Sequence, residues 1–431
     1  MTHIDANAVG LNLRDVKSQD ATAVGQPETV VTTSNLHVLR GLPKWFGLVA
    51  RIATKLEWGS ITVVIPDGRR FKFEGQQPGH HATIRVKDMG FAGRLIRGGG
   101  IGFAEGFLQG EWDTPNLELL LEVIARNSQK VEAFFSGRPV MKFVQRMLHL
   151  LNKNSRSGSK RNISYHYDLG NDFYREWLDP TMTYSSAKFD NKSQNLSDAQ
   201  LNKYANLAKL LDLKPGHRVL EIGCGWGGFA EYAAKNVGCD VVGVTISQEQ
   251  LDFARQRIQN AGLSEKVDLR FQDYRDINEK FDRVASIEMF EAVGQEYWPT
   301  FFDKVANSLE DGGRAALQII TIGEEHFDTY SRNSDFIRRY IFPGGMLPSP
   351  THLKDYARAS GLLFDRNEDF GVDYADTLAI WRDRFFDAWP KISTMGFDDR
   401  FRRMWHYYLS YCEAGFRSRN IDVTQVAFVR G

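Results

Sequence analysis

The sequence predicts an α/β protein of two domains, in which a smaller N-terminal α/β domain precedes a larger domain built on a mainly parallel sheet. The chain has 431 residues, which is more than one compact domain usually holds. Residues 152–162 contain no apolar side chain and are predicted to form a linker. After residue 163, short apolar runs alternate with helical runs, a pattern typical of parallel strands joined by crossover helices.

The composition excludes several classes of protein. Hydrophobic residues make up 42% of the chain and charged residues 25%, which excludes a fibrous or wholly disordered protein. Lys and Arg number 54, as do Asp and Glu, so no overall positive charge would attract nucleic acid. The cysteines at 224, 239 and 412 are too scattered for a disulfide framework or a zinc cluster, and no metal is predicted.

The N-terminal part is predicted to begin with a disordered arm over residues 1–33, which are polar and aperiodic. A domain follows over residues 34–151. Within it, residues 58–73 read as two strands around the turn Pro66-Asp67-Gly68. Apolar residues at helical spacing predict helices over 117–127 and 131–151.

Residues 163–431 are predicted to form the second domain. Its predicted strands cover residues 218–222, 240–246, 267–271, 284–288 and 315–322, and a helix covers 248–259. The final apolar run, residues 423–429, follows a break with no long helix close before it. We expect this run to close the sheet as an antiparallel partner.

A glycine-rich loop after the first of these strands gives the sharpest signal for a ligand site. Strand, loop and helix start follow one another, so the backbone can approach a nucleotide where a side chain would clash. Gly223, Gly225 and Gly228 also match the dinucleotide pattern G-x-G-x-x-G, which is weak when it occurs alone.

Two residues favour a different nucleotide. Glu221 precedes the loop, where its carboxylate can meet a cation. The second strand ends at Thr245 and lacks the Asp or Glu that holds the ribose of a nicotinamide nucleotide. The pattern E-x-G-x-G-x-G, which ends at Gly227, fits S-adenosylmethionine (SAM), because the sulfonium and amino groups of SAM are positive. The sequence therefore predicts a SAM site.

Further motifs follow one another in order along the chain. They lie at residues 165–173, 178–186, 243–247, 289–294, 340–345, 396–399 and 414–417, and residues 101–107 add one in the first domain. Together they resemble the cyclopropane-fatty-acyl-phospholipid synthases and their mycolic-acid-modifying relatives. The resemblance covers nearly all of residues 160–431. It implies a class I SAM-dependent methyltransferase fold, Rossmann-like with a seven-stranded, mainly parallel sheet and helical insertions.

The resemblance also implies which residues bind SAM. Tyr184 and Ser185 would lie on the side of its carboxylate, and the glycine loop beside its methionine part. The residues assigned to the nucleoside part are Thr245 and Gln250 at the ribose and Tyr274 near the adenine.

A buried bicarbonate acts as the base in bacterial members of this family, held by a Cys, a Glu, a His and a Tyr. Glu291 and Tyr374 match the Glu and the Tyr, whereas Ser186 stands at the Cys position and Ile320 at the His position. In the bacterial members a second His follows the Glu, and Ala292 stands at that position in this sequence. The resemblance is therefore closest to the plant-type branch. It implies catalytic roles for Glu291, Tyr374 and Ser186, with a bicarbonate or a water held by Glu291 as proton acceptor. Ser186 can still donate a hydrogen bond, and Ile320 cannot.

The implied reaction starts from an isolated cis alkene, which is a poor nucleophile with no proton to lose first. Methyl transfer to it needs proximity and a dry site, and aromatic faces can stabilise the resulting carbocation. Loss of a proton from the added methyl group closes a cyclopropane, whereas loss from a neighbouring carbon leaves a methyl- or methylene-branched chain. Both products stay open. The aromatic residues expected to line the site are Tyr174, Phe290, Phe342, Tyr374 and Trp381.

The predicted function is SAM-dependent methylene transfer to cis-unsaturated acyl chains of membrane phospholipids, which the N-terminal domain would engage. No apolar run reaches the roughly 18 residues that a membrane-spanning helix needs, and no signal peptide is apparent. We therefore expect a cytoplasmic protein bound peripherally to the inner face of the cytoplasmic membrane. The family leads us to expect a homodimer. Two alternatives are a SAM-binding protein without catalysis and a small-molecule methyltransferase, which would need no first domain.

Overall fold

The protein is described by a computed structural model that covers residues 27–128 and 169–431. The chain divides into two compact units, one within residues 1–137 and the other within residues 138–431. The linker predicted over 152–162 and the helix predicted over 131–151 lie outside the described residues. Their boundaries therefore stay predictions.

The first unit contains a five-stranded mixed sheet. Its strands are β1 (Glu28–Val30), β2 (Trp58–Val64), β3 (Arg70–Glu74), β4 (Gln77–Val86) and β5 (Trp112–Asp113), in the spatial order β1-β3-β2-β4-β5. The two strands predicted around the Pro-Asp-Gly turn are confirmed as the antiparallel pair β2 and β3. The prediction of disorder through residue 33 is wrong for the last residues of that segment. There, β1 pairs in parallel with β3, and the adjoining Val31 is buried.

Within residues 27–128, three α-helices accompany this sheet: α1 (Lys44–Ala53), α2 (Gly90–Leu108) and α3 (Leu117–Arg126). Phe46 of α1 and Phe71 of β3 belong to one apolar cluster, with ring centroids 6.1 Å apart. The predicted helix over 117–127 is confirmed as α3. It begins after Asn116, whose side chain accepts a hydrogen bond from the Leu119 N–H at 2.9 Å and so satisfies a free amide of the first turn.

The second unit is built on a seven-stranded sheet. Its strands are β6 (Arg218–Ile222), β7 (Asp240–Thr245), β8 (Val267–Phe271), β9 (Phe281–Ile287), β10 (Leu309–Ile322), β11 (Leu362–Asp369) and β12 (Ile421–Arg430). They lie in the order β11-β12-β10-β9-β6-β7-β8, and β12 runs antiparallel to both of its neighbours. The predicted fold class, a mainly parallel seven-stranded sheet, is confirmed.

Helices cover both faces of this sheet. They are α4 (Asn171–Arg175), α5 (Leu196–Leu210), α6 (Gly228–Tyr232), α7 (Gln248–Asn260), α8 (Trp298–Ser308), α9 (Glu324–Arg332), α10 (Pro350–Ala359), α11 (Gly371–Ile392) and α12 (Asp399–Arg417). Adjacent residues of β6 point to opposite faces. Val219 joins an apolar cluster with residues of α5, α6 and α7, whereas Leu220 joins a second cluster with residues of α8 and α10.

Two sequence predictions about the end of the chain differ from the structure. The expectation of no long helix before the last strand is wrong, because α12 ends only three residues before β12. Asp398 caps α12 by accepting a hydrogen bond from the Phe401 N–H at 2.8 Å. The strand β11 was not predicted. It lies at the edge of the sheet with Leu363 and Phe364 exposed, so it lacks the buried apolar run that marks the central strands.

The strand order creates a crevice that positions the site. From β6 the chain runs outward through β7 and β8, and then returns to the opposite side of β6 to form β9. Ligands of open α/β sheets bind where the strand order reverses in this way, outside the carboxyl ends of the strands. The segments after β6, β7 and β9 all lie at that edge.

Candidate active site

The glycine loop after β6 has a backbone that only glycine adopts easily. Gly223, Gly225 and Gly227 have φ values of 82°, 51° and 80°, in the left-handed region. The N–H groups of Gly223 and Cys224 both donate to the Val244 carbonyl at 3.0 Å, which ties the loop to β7. The loop is therefore held in a fixed shape at the carboxyl end of the sheet.

The three glycines differ in what a side chain would meet. A Cβ at Gly223 would lie 2.7 Å from Met289 Cγ, and one at Gly227 would lie 3.1 Å from Ala254 Cβ. A Cβ at Gly225 would meet no atom within 4 Å. Gly223 and Gly227 thus allow close packing, whereas Gly225 borders open space that can receive a ligand.

Glu221, the carboxylate before this loop, is 3% exposed. Burial raises its pKa to about 8, and a hydrogen bond from the Ala230 backbone only partly offsets this. Its Oε2 has no hydrogen-bond partner within the described part of the chain. A buried carboxylate with a free oxygen beside an open glycine cradle fits a positively charged ligand such as SAM, since a cation would stabilise the charged form.

The residues predicted at the nucleoside part of SAM lie along the same edge. Thr245 ends β7, and its Oγ donates to Gln250 Oε1 at 3.0 Å. Tyr274 follows β8, and its ring packs edge-on against Phe301 with centroids 5.6 Å apart. Burial raises the pKa of Tyr274 to about 12, so its hydroxyl keeps its proton. The structure thus brings Thr245 and Gln250 together and places Tyr274 after the neighbouring strand.

Tyr184 lies in a group of aromatic side chains. Its hydroxyl shares a 2.6 Å hydrogen bond with the Tyr408 hydroxyl, and its ring centroid lies 5.3 Å from those of Tyr174 and Trp381. Tyr174 and Trp381 were expected to line the site, and both are buried beside Tyr184. Phe290 was also expected there, but it packs in the apolar core with its ring centroid 5.5 Å from that of Trp298.

Ser185 contacts a lysine that the sequence analysis missed. Its Oγ accepts a hydrogen bond from Lys203 Nζ at 2.6 Å. Lys203 is completely buried, and burial lowers its pKa to about 7, although the nearby acidic side chains favour its charged form. These are Glu288, Asp179 and Glu221. Lys203 therefore lies in the field of both the Glu221 and the Glu288 carboxylates.

A second acidic group, here called the carboxylate centre, consists of Glu288 and Glu291 with their hydrogen-bond donors. Glu288 follows β9 and has three donors. Its Oε1 accepts from the Ser186 N–H at 2.8 Å and from Gln318 Nε2 at 2.7 Å, and its Oε2 accepts from the Tyr374 hydroxyl at 2.7 Å. Burial raises the pKa of Glu288, whereas Lys203 and these donors favour the charged form.

Glu291 lies in the short 3₁₀ turn Phe290–Ala292 and has fewer partners. Its Oε1 accepts from the Ile320 N–H at 2.6 Å, and its Oε2 is buried with no partner among the described residues. Burial, reinforced by the charge on Glu288, raises the pKa of Glu291 to about 8. The surroundings of Glu291 therefore favour its neutral form.

The backbone supplies two donors to this centre. The Ile320 side chain cannot donate, but the Ile320 backbone N–H donates to Glu291. The Ser186 hydroxyl donates to the Ala187 carbonyl at 2.9 Å, and the Ser186 backbone N–H donates to Glu288. Both contributions come from the backbone, which side-chain identity does not reveal.

Glu288 and Gln318 were not singled out as site residues, although the sequence carries a signal for each. Glu288 directly follows an apolar parallel strand, where acidic residues often serve a ligand. Gln318 is a fully buried amide within the apolar strand β10. Its Oε1 accepts from Gln425 Nε2 of β12 at 2.9 Å, which leaves its own amide N–H free to bind Glu288.

Comparison with known proteins identifies the family. The family model described as mycolic acid cyclopropane synthetase matches residues 154–426. The chain is 39% identical over 354 residues to the cyclopropane-fatty-acyl-phospholipid synthase of Escherichia coli, covering 81% of this chain and 88% of that protein. It is 38% identical over 358 residues to the tuberculostearic acid methyltransferase UfaA1 of Mycobacterium tuberculosis, covering 79% of this chain and 81% of that protein.

Comparison with solved structures gives the same family. The mycolic acid cyclopropane synthase CmaA1, in complex with SAH and CTAB, has a TM-score of 0.60 and 31% sequence identity, and covers 63% of this chain and 98% of its own. The cyclopropane synthase MmaA2 of Mycobacterium tuberculosis has a TM-score of 0.59 and 28% identity, with the same two coverages. The chain therefore belongs to the mycolic acid cyclopropane synthetase family and is a SAM-dependent methyltransferase.

Proposed function

We propose that this enzyme converts the cis double bonds of unsaturated acyl chains in membrane phospholipids into cyclopropanes, with SAM as the source of the added carbon. The observation that carries the proposal is a single sheet edge that holds an open glycine cradle beside a buried carboxylate and, after β9, a second acidic centre. The first group suits a cationic methyl donor. The second can take the proton that ring closure releases.

The coverage of the comparisons supports phospholipid as the substrate. The alignment with the Escherichia coli phospholipid enzyme covers more of this chain than the second unit contains, so it extends into the first unit. The mycolic acid synthase structures are matched almost in full by 63% of this chain, which leaves about a third of it without a counterpart. The similarity to the phospholipid enzyme is therefore not confined to the second unit, and this supports phospholipid as the substrate.

The first chemical step requires binding and the exclusion of water. SAM, when bound, supplies an electrophilic methyl group. Because the alkene has no proton to lose, the residues around it must hold it in line and keep the site dry. Tyr174, Tyr184 and Trp381 offer adjoining aromatic faces that can stabilise the carbocation without bonding to it.

The second step requires a base, and we propose that it belongs to the carboxylate centre. Glu291, Tyr374 and Ser186 are the residues that the family resemblance assigns to a bound bicarbonate. In this structure Tyr374 and the Ser186 N–H meet at Glu288, and Glu291 lies close enough for its pKa to respond to the charge on Glu288. Bicarbonate or water held by Glu291 is one candidate base, and the protein's own carboxylates are the other.

The products distinguish cyclopropanation from the second candidate reaction, which forms a methyl- or methylene-branched chain. That candidate is supported by the relative named tuberculostearic acid methyltransferase, which is almost as similar as the cyclopropane synthase. The purified protein should be given SAM and vesicles of cis-unsaturated phospholipid. We expect ring methylene signals in the proton NMR spectrum of the lipid. A product that has gained a methyl branch and keeps its double bond would establish the second reaction instead.

We propose that the first unit binds the membrane surface. No helix in residues 27–128 or 169–431 is long and apolar enough to cross a membrane. On α1, Trp45 is 46% exposed, and the exposed Lys44 and Arg51 are also on this helix. An exposed Trp on a helix that also carries exposed cations suits the interface of an anionic membrane, such as the inner face of the cytoplasmic membrane.

Trp45→Ala should weaken co-sedimentation with anionic phospholipid vesicles several-fold while leaving SAM binding intact. The matched control is Leu363→Ala, which removes an apolar side chain that is even more exposed, from the edge of the second sheet. Equal losses in both variants would argue against a membrane role for α1. The homodimer expected from the family stays a prediction, which light scattering of the purified protein can test.

A further inference from the structure

Glu288 is surrounded in a way that sets it apart from Glu291. Its three partners, the Ser186 N–H, the Gln318 amide and the Tyr374 hydroxyl, all donate to it. Burial and the charge on Glu288 raise the pKa of Tyr374 well above its ordinary value, so this hydroxyl stays a donor. An ionised carboxylate accepts hydrogen bonds and cannot donate any, so an all-donor environment matches the charged form.

Glu291 has the opposite environment. One donor reaches it, its second oxygen has no partner in the described ranges, and burial and the nearby Glu288 charge both favour its neutral form. Burial raises the pKa of both carboxyl groups, but only Glu288 has three hydrogen-bond donors and the charge of Lys203 to offset this. Two carboxyl groups whose environments differ in this way can take different roles as base and acid. Within this pair, Glu288 is the group that is equipped to be the base.

Glu288 also keeps room to accept a proton. A carboxylate has about four acceptor positions, and the donors of the described residues occupy three of them. The residue as a whole is only partly buried. Its backbone has a φ of 47°, a conformation that non-glycine residues rarely adopt and that is found preferentially at functional sites.

We propose that the Glu288 carboxylate is the proton acceptor in ring closure, so that this enzyme works without a bound bicarbonate. The inference rests on the proposed function. After methyl transfer, a C–H bond of the added methyl group breaks and its electron pair forms the new C–C bond to the cationic carbon. The proton passes to Glu288 and from there to solvent. Gln318 is a positioning residue, because it fixes the carboxylate through Oε1.

Two variants test Glu288 by different routes. Glu288→Gln keeps the shape but cannot accept the proton, and turnover should fall on the order of 100-fold or more, the scale of a lost general base. Glu288→Gly suits the backbone, since glycine favours a positive φ, and it leaves a space the size of a carboxylate. Its turnover should fall similarly and should recover when bicarbonate or formate is added. The Gln variant, whose amide fills the space, should show no recovery.

The controls separate catalysis from folding. Asp212→Gly also removes a side chain from a positive φ, 49°, but on the surface, and should keep wild-type turnover. SAM affinity measured by calorimetry should be unchanged in both Glu288 variants. A purely structural role would instead lower stability or SAM affinity in the Gly variant, without rescue by anions.

The wild-type enzyme is assayed with and without bicarbonate in carbon-dioxide-free buffer, and we expect equal rates. Loss of wild-type activity without bicarbonate, or full activity in Glu288→Gln, would overturn the role of Glu288 and leave the proposed function intact. A wild-type enzyme that binds SAM but never modifies unsaturated phospholipid would instead refute the proposed function.

Discussion

The glycine loop and the carboxylate centre lie at the same edge of the second sheet but are built differently. The loop is one continuous segment whose backbone conformation creates the cradle, with Gly225 facing open space. The carboxylate centre joins Ser186, Glu288, Gln318 and Tyr374, which lie in four separate segments of the chain. A site built from one segment can be read from its pattern, whereas a site assembled from several depends on how the strands and helices pack.

The largest expected effect is on the glycine loop. Gly225→Val should abolish SAM binding, because its side chain would fill the open space beside the loop. Calorimetric titration with SAM measures this. Gly262→Val is the matched control, since Gly262 also has a positive φ, 69°, and open space around its Cβ, but lies in an exposed turn after α7. If both variants bind SAM equally well, the loop is not the cradle.

The carboxylate centre is tested by comparing its two acidic residues. If Glu291 held the base, Glu291→Gln should lower turnover on the order of 100-fold. Because burial and the charge on Glu288 raise the pKa of Glu291, its surroundings favour the neutral form, which the amide resembles. We therefore expect a clearly smaller loss in Glu291→Gln than in Glu288→Gln, measured as SAM-dependent lipid turnover. The exposed Glu249→Gln serves as a control. A larger loss of turnover in Glu291→Gln than in Glu288→Gln would indicate that Glu291 is the base.

The last comparison concerns stability near the glycine loop. The pKa of Glu221 is raised from 4.5 to about 8 in the folded protein, so the folded state binds more protons than the unfolded state between these values. Its contribution to stability is present at low pH and is lost as the pH rises toward 8, by at most about 1.4 kcal/mol per pH unit. Glu221→Gln should remove this slope in urea unfolding without SAM. Glu249→Gln should keep it, and identical slopes in all three proteins would contradict the buried, unpaired state of Glu221.

The aromatic residues show where sequence patterns stop being informative. Tyr174, Phe290 and Trp381 were all expected to line the site because they belong to family motifs. Tyr174 and Trp381 lie beside Tyr184, whereas Phe290 points into the core with Trp298. Phe290 and Glu291 are adjacent in a tight turn, so their side chains diverge. Which of the two faces the crevice depends on the packing of α8.

The sequence alone determined the parallel sheet, the glycine loop and the family, because these depend on local periodicity, on residues that tolerate a positive φ and on the order of motifs. The edge strand β11 was not predicted because few of its residues are buried, so it lacks the apolar run that marks a central strand. Tertiary structure decided which carboxylate receives the donors and that the Ile320 and Ser186 backbones supply two of them. It also buried Lys203 within reach of the charges of Glu221 and Glu288. The physical reason is that charge and protonation depend on burial and neighbours, which only the packed chain brings together.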